Sequence, residues 1–234
     1  MNRRNYQKEL EAQISSNEAS GVFPKLLLHA CCAPCSSWCL EYLAPHFDIT
    51  LFYYNPNIDD EEEYHRRAAE AQRLLQEMPL PRPVQFLEGP YDPAHWHALV
   101  KGHEADPEGG DRCGICFSER LRQTAETAAA LGFDCFTTTL TISPLKNADR
   151  LNGIGEAEGA AAGVPFLPSD FKKKNGYLRS TELSREYGLY RQDYCGCSFS
   201  KAEAHRRNDA RDHSKKERTG SVCEGSFTSP GTGS

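Results

Sequence analysis

Long apolar runs are missing from this chain. Nowhere in its 234 residues does an apolar stretch approach the ~20 positions that a membrane-spanning helix needs. An excess of positive charge is missing too. Lys and Arg number 27 against 33 Asp and Glu, for a formal net charge of −6. A general nucleic-acid binder is basic, so any nucleic-acid contact must come from a local patch. The first residues, MNRRNYQKELEAQISS, lack the apolar core of a secretory signal, and a soluble, cytoplasmic protein is expected. A glycine-rich phosphate loop is also absent. The turn after the first apolar run is CCAPC, neither a P-loop nor a G-x-G-x-x-G, which disfavours nucleotide hydrolysis. There are no internal repeats.

Cysteine, by contrast, is plentiful: the chain has 10. In a cytosolic protein of this size they are more readily metal ligands or catalytic thiols than a disulfide framework. The length suits one α/β domain with extensions, able to bury a core without staples.

Residues 1–24 form a polar N-terminal arm, partly helical. Apolar segments at 25–30, 48–55, 83–89, 134–141 and 164–168 read as strands, and amphipathic segments between them read as helices. Asp92 followed by Pro93 starts one such helix, and Gly132 closes another. Five alternations predict a parallel β-sheet covered by helices on both faces. Ligands of such folds bind beyond the carboxyl ends of the strands. A catalytic α/β domain over 25–207 is expected, then a polar, disordered tail over 208–234 ending in GSFTSPGTGS.

Three cysteine groups stand out. Cys31, Cys32, Cys35 and Cys39 follow the first strand. Cys113 and Cys116 form a C-x-x-C just before a predicted helix, and Cys195 and Cys197 form a C-x-C in a later loop. Helix N-termini favour the thiolate, the ligand and nucleophile form, and the crevice rule puts the first two groups at one sheet edge. Cys39 and Cys135 read as small buried hydrophobes and Cys223 as a stray tail thiol. Structural zinc is the main competitor for the six thiols of the dense motifs, Cys31, Cys32, Cys113, Cys116, Cys195 and Cys197. The irregular spacing, the vicinal pair and the surplus over four thiols favour a redox iron site. A vicinal pair can reach two irons of a cluster where it would chelate one ion poorly. Cys195-Gly196-Cys197 is open to two readings, a strained redox disulfide or ligands of a second metal.

Among other residues, Asn55 and Asn57 read as turn residues, His29 as a satisfied core histidine, and His95 and His97 as surface. Ser143, Lys146 and Asn147 follow the fourth strand, where Lys146 can meet an anion. Lys172, Lys173, Lys174, Arg179, Arg185 and Arg191 alternate with Phe171, Tyr177, Tyr187 and Tyr190 before the C-G-C. That interleaving suits single-stranded or flipped-out nucleic acid as well as it suits a solvated helix face. Further positive charge lies around Arg206 and Arg207.

The segments HACCAPC, DRCGICFSERL, FTTTLTISPLKN and GYLRSTELSREYGLYRQDYCGCSFS occur in that order. Together they resemble the cobalamin-independent epoxyqueuosine reductases, the QueH family, from about Lys25 to Ser200. The resemblance implies an adenine-nucleotide α-hydrolase-like α/β fold whose phosphate loop has become a metal loop. It implies reduction of the epoxide of epoxyqueuosine, already in the tRNA anticodon loop, as the final step of queuosine synthesis. It implies no cobalamin, but a [4Fe–4S] cluster on Cys31, Cys32, Cys113 and Cys116, with Cys195 and Cys197 as the redox-active pair. An adjacent mononuclear iron, with Cys35 and the C-G-C thiols as its ligands, is the variant it leaves open. Lys146, Lys172, Lys173, Lys174, Arg179 and Arg191 would bind the tRNA. An electron donor is needed, and the sequence does not name it. A thiol–disulfide reductase and a zinc-stapled tRNA-binding module are the rival readings.

Overall fold

The structure, a computed structural model, describes the backbone of residues 4–220 and the side chains of residues 4–211. Helix α1 (Tyr6–Ser20) starts where Asn5 accepts a hydrogen bond from the Lys8 amide, and ends at Gly21 in the left-handed region. Strand β1 (Lys25–Ala30) leads into α2 (Ala33–Leu43), then β2 (Asp48–Tyr53) and α3 (Glu61–Glu77). Acidic residues fill the first turn of α3, where the helix dipole favours them. Strand β3 (Gln85–Glu88), the short α4 (Pro93–Leu99), α5 (Asp111–Leu131) and β4 (Cys135–Thr138) follow. A 3-10 turn at Thr139–Ile142 precedes α6 (Ala148–Ala162), α7 (Gly176–Glu186) and α8 (Ser198–Gly220).

The four strands form a wholly parallel sheet in the order β3-β2-β1-β4. Side chains of β1 alternate between two cores. Leu26 and Leu28 pack with α1, α2 and α3 residues such as Leu10, Leu40 and Leu74. Leu27 packs with Phe117, Leu121 and Ala125 of α5 and Leu151 of α6. Both faces are thus covered, which is why LLL reads as a continuous apolar run. The chain winds from β1 outward to β3 and then returns to the other side of β1 for β4. That reversal opens a crevice between the carboxyl ends of β1 and β4. Cys31 lies there, its amide 3.4 Å from Thr139 Oγ1.

Three expectations need correction. The fifth strand is not a strand but a single parallel bridge, Phe136 to Phe166. Pro165 and Pro168 remove the amides that a ladder would use. The N-terminal arm is helical over Tyr6–Ser20, and its Leu10 and Ile14 are part of the main core. Helix α5 begins at Asp111, two residues before Cys113, so the C-x-x-C lies on the helix and not ahead of it. Finally, α8 runs through the boundary drawn at 207 and 208 and ends at Gly220; the low-complexity end and Cys223 lie outside the described residues. No described helix is long and apolar enough to cross a membrane.

Candidate metal and active site

Each cysteine group meets the start of a helix. Cys32 is the N-cap residue of α2, in extended conformation, and Cys35 lies in that helix's first turn. Cys113 lies in the first turn of α5, and its sulfur accepts the Gly109 amide at 3.2 Å. Cys197 immediately precedes α8, and its sulfur accepts the Ser200 amide at 3.4 Å. Three positive helix ends therefore face thiols that must ionise to act.

Cys31, Cys32 and Cys35 have sulfurs within 4.8 Å of one another, and Cys31 and Cys32 are 3.7 Å apart. Three buried thiols this close share protons. Cys31 ionises first because Cys32 and Cys35 donate to it, and its charge pushes the other two up. Cys113, Cys116, Cys195 and Cys197 line an adjoining cavity of about 90 Å³. A wider cavity of about 320 Å³ is lined by Cys31, Cys32, Cys35 and Cys195, with Tyr177, Arg191, Gln192, Asp193 and Tyr194. Cys195 and Lys146 belong to both, so all seven thiols open onto one connected space. Burial pushes Cys116 up to about 12 and also raises Cys113 and Cys197. To serve as thiolate ligands they would need a cation or cluster to supply the balancing charge.

Cationic side chains frame this space. Arg67, almost wholly buried, donates to the Cys195 carbonyl at 3.0 Å and to Glu63 at 2.6 Å. Arg112 is equally buried and holds the loop before α5 through the carbonyls of His103, Glu104 and Asp106. Arg150 reaches from α6 to the Gly109 and Gly110 carbonyls at 2.9 and 3.0 Å. Gly114 makes room for it, since a Cβ there would fall 1.9 Å from the Arg150 guanidinium. Gly196 has φ of 143°, in the region that favours glycine, and a Cβ would press on Ile58 at 2.8 Å. The tight bend between Cys195 and Cys197 therefore requires glycine.

The donors fit a soft metal group. Every side chain in the tight triad is a thiol. Several N–H groups around the cysteines are buried without a partner: Arg120 Nη1, Arg112 Nε and Trp96 Nε1. Arg112 and Trp96 line the smaller cysteine cavity, and such donors suit an anionic group there.

The family model described as Epoxyqueuosine reductase QueH matches residues 26–203. The chain belongs to the QueH family. Epoxyqueuosine reductase QueH of Streptococcus pyogenes serotype M1 is 46% identical over 198 residues, covering 84% of this chain and 78% of that protein. The Staphylococcus epidermidis protein of that name is 42% identical over 200 residues, 84% of each chain. The Thermotoga maritima one is 36% identical over 182 residues, 76% of this chain and 91% of that protein.

Within the QueH-family match, the basic residues singled out from sequence divide into groups. Lys146 and Arg191 line the cysteine cavity. Lys172 and Lys173 line a neighbouring cleft with Arg4, and Lys172 is paired with Asp170 at 2.5 Å. Lys174 is paired with Glu11, and Arg179 with Glu41 at 2.6 Å. His29 is a buried, hydrogen-bonded core residue as expected, touching Thr138 Oγ1 at 2.9 Å. His95 and His97 are surface residues, paired with Glu119 and Asp59. Asn55 is more than a turn residue: it is buried, donates to the Ala30 carbonyl at 2.9 Å and accepts from Arg120. Sequence reading missed Arg67, Arg120, Gln192 and Tyr194. Arg120 had one signal, since it lies four residues after Cys116 and seven after Cys113, on the same helix face.

Proposed function

We propose that this QueH-family chain reduces epoxyqueuosine in tRNA to queuosine. A single observation carries the reading: seven thiols at three helix starts converge on one cation-framed space open to solvent. Cys31, Cys32, Cys113 and Cys116 would hold a [4Fe–4S] cluster. When bound, it supplies electrons one at a time.

Converting an epoxide to an alkene takes two electrons and two protons, and the oxygen leaves as water. Oxidation of two thiols to a disulfide releases two electrons and two protons, so Cys195 and Cys197 balance one turnover. Both are free thiols here. An external reductant must then reduce the disulfide. Lys146 is the nearest candidate to position the oxygen or a phosphate, since it lines both cavities. Its charged form is stable there: burial opposes it, but the negative charge of Cys195, Cys31 and Cys35 holds its pKa above the ordinary lysine value. Tyr177 and Leu145, both exposed and both lining the wider cavity, offer an apolar lip for an extruded base.

The test is anaerobic reconstitution with iron and sulfide, then turnover on tRNA bearing epoxyqueuosine. A brown protein that yields queuosine-containing tRNA is the expected result. A loaded protein that leaves the epoxide intact under supplied reductant would refute the activity.

A further inference from the structure

Among the described residues, three arginines lie almost wholly buried, and one of them differs from the others. Arg67 is paired with Glu63 and Arg112 with Glu203. Arg120 has no carboxylate partner among the described residues. Its Nη2 donates to Asn55 Oδ1 at 2.6 Å, and its Nε lies 3.3 Å from His29 Nε2. Its Nη1 has no nitrogen or oxygen partner among the described residues. Its two partners are an amide oxygen and an imidazole, neither of them a carboxylate. A guanidinium does not give up its proton, so a full positive charge is buried here with nothing carboxylic to balance it.

The groups that can balance it are cysteines. The cysteine that the guanidinium meets directly is Cys116. Cys116 is one helical turn before Arg120 on α5. Asn55, tied to the Ala30 carbonyl just before Cys31, and His29 on β1 keep the guanidinium from swinging away.

We infer that Arg120 is the fixed counter-charge of the cysteine site, a positioning residue that acts through the thiolates to raise the reduction potential of the group they hold. The inference rests on the iron–sulfur reading above. Adding an electron adds negative charge, and a fixed positive charge in a dry wall favours the reduced state.

The experiment uses the full chain, reconstituted anaerobically with iron and sulfide. Iron per chain and the midpoint potential are measured by an EPR-monitored redox titration. Arg120→Met should shift the midpoint negative by at least a tenfold change in the one-electron equilibrium, about 59 mV. Arg120→Lys, which keeps the charge, should stay with the wild type. Loss of iron from Arg120→Met but not from Arg120→Lys supports the inference equally, because the thiolates then fail to assemble without their counter-charge. An unshifted midpoint in a fully loaded Arg120→Met, an equal shift in Arg120→Lys, or loss of iron from both overturns it. A wild-type chain that takes up no iron and sulfide defeats the cluster reading, and this inference falls with it. Should Arg120→Met not fold, Arg120→Gln replaces it: neutral, but still able to donate to Asn55.

Discussion

Cysteines in this protein divide by what surrounds each sulfur. Cys39 is fully buried in the apolar core and donates to the Cys35 carbonyl, so it packs like a small hydrophobe. Cys197 is also buried, but it borders the cavity that Cys113, Cys116 and Cys195 line. If Cys195 and Cys197 are the redox pair, Cys197→Ser keeps iron, sulfide and visible absorbance but loses multiple turnover. A colourless Cys197→Ser would move this thiol into the ligand set. The lysines divide in the same way. Lys146 faces the cavity, whereas Lys174 is engaged with Glu11. Lys146→Ala should therefore weaken tRNA binding about tenfold and flatten its salt dependence, because a phosphate contact releases counterions. Lys174→Ala should leave both close to wild type. Equal losses would place the tRNA across the α1 side.

At the scale of the element, α5 joins thiols and a buried cation. Its first three turns present Cys113, Cys116 and then Arg120 along one face, while Phe117, Leu121 and Ala125 pack under the sheet. The start of this helix is held by Arg150, which reaches past Gly114. Gly114→Ala puts a methyl group where the guanidinium lies, so Arg150 must leave the Gly109 and Gly110 carbonyls. Loss of such charge-assisted bonds costs about 1.5–3 kcal/mol. Thermal unfolding should show a drop of that order, with iron per chain reduced after reconstitution. Unchanged stability and iron content would mean that the α5 start holds its place without Arg150.

Across the whole molecule, buried thiols away from the site tie stability to pH. Burial raises Cys135 to about 12 and raises Cys39 well above its ordinary value of 9.0. Between the unfolded and folded values, the unfolded chain loses these protons while the folded chain keeps them. The unfolded state then binds fewer protons, and stability falls as pH rises. The loss begins near pH 9 and reaches about 1.4 kcal/mol per pH unit for each such thiol. Melting temperatures between about pH 8 and pH 11 should decline less steeply in Cys39→Ala than in wild type, whatever the difference at neutral pH. Parallel slopes would show that Cys39 does not titrate in this way.

Short-range chemistry was readable along the chain. The run LLL before HACCAPC, the alternation of apolar and amphipathic segments and the three cysteine motifs were enough to expect a parallel sheet with thiols at its carboxyl edge. They depend on period, turn residues and spacing within a few positions, which a one-dimensional string retains. Two local errors came from the same source. VPFLP has the apolarity of a strand but not its amides, and DRCGIC looked like a loop because glycine and cysteine are poor helix formers. What the string does not hold is pairing across distance. Glu203 neutralises Arg112 from 91 positions away, while no carboxylate among the described residues meets Arg120. Each of these arginines looks like an ordinary charge on a polar helix until the fold buries it. Likewise, the segment 172–174 reads as one basic patch, and only the approach of Glu11 shows that Lys174 is already engaged. Burial, and charge balance by partners distant along the chain, are properties of neighbours that folding brings together, so only the tertiary structure could decide them.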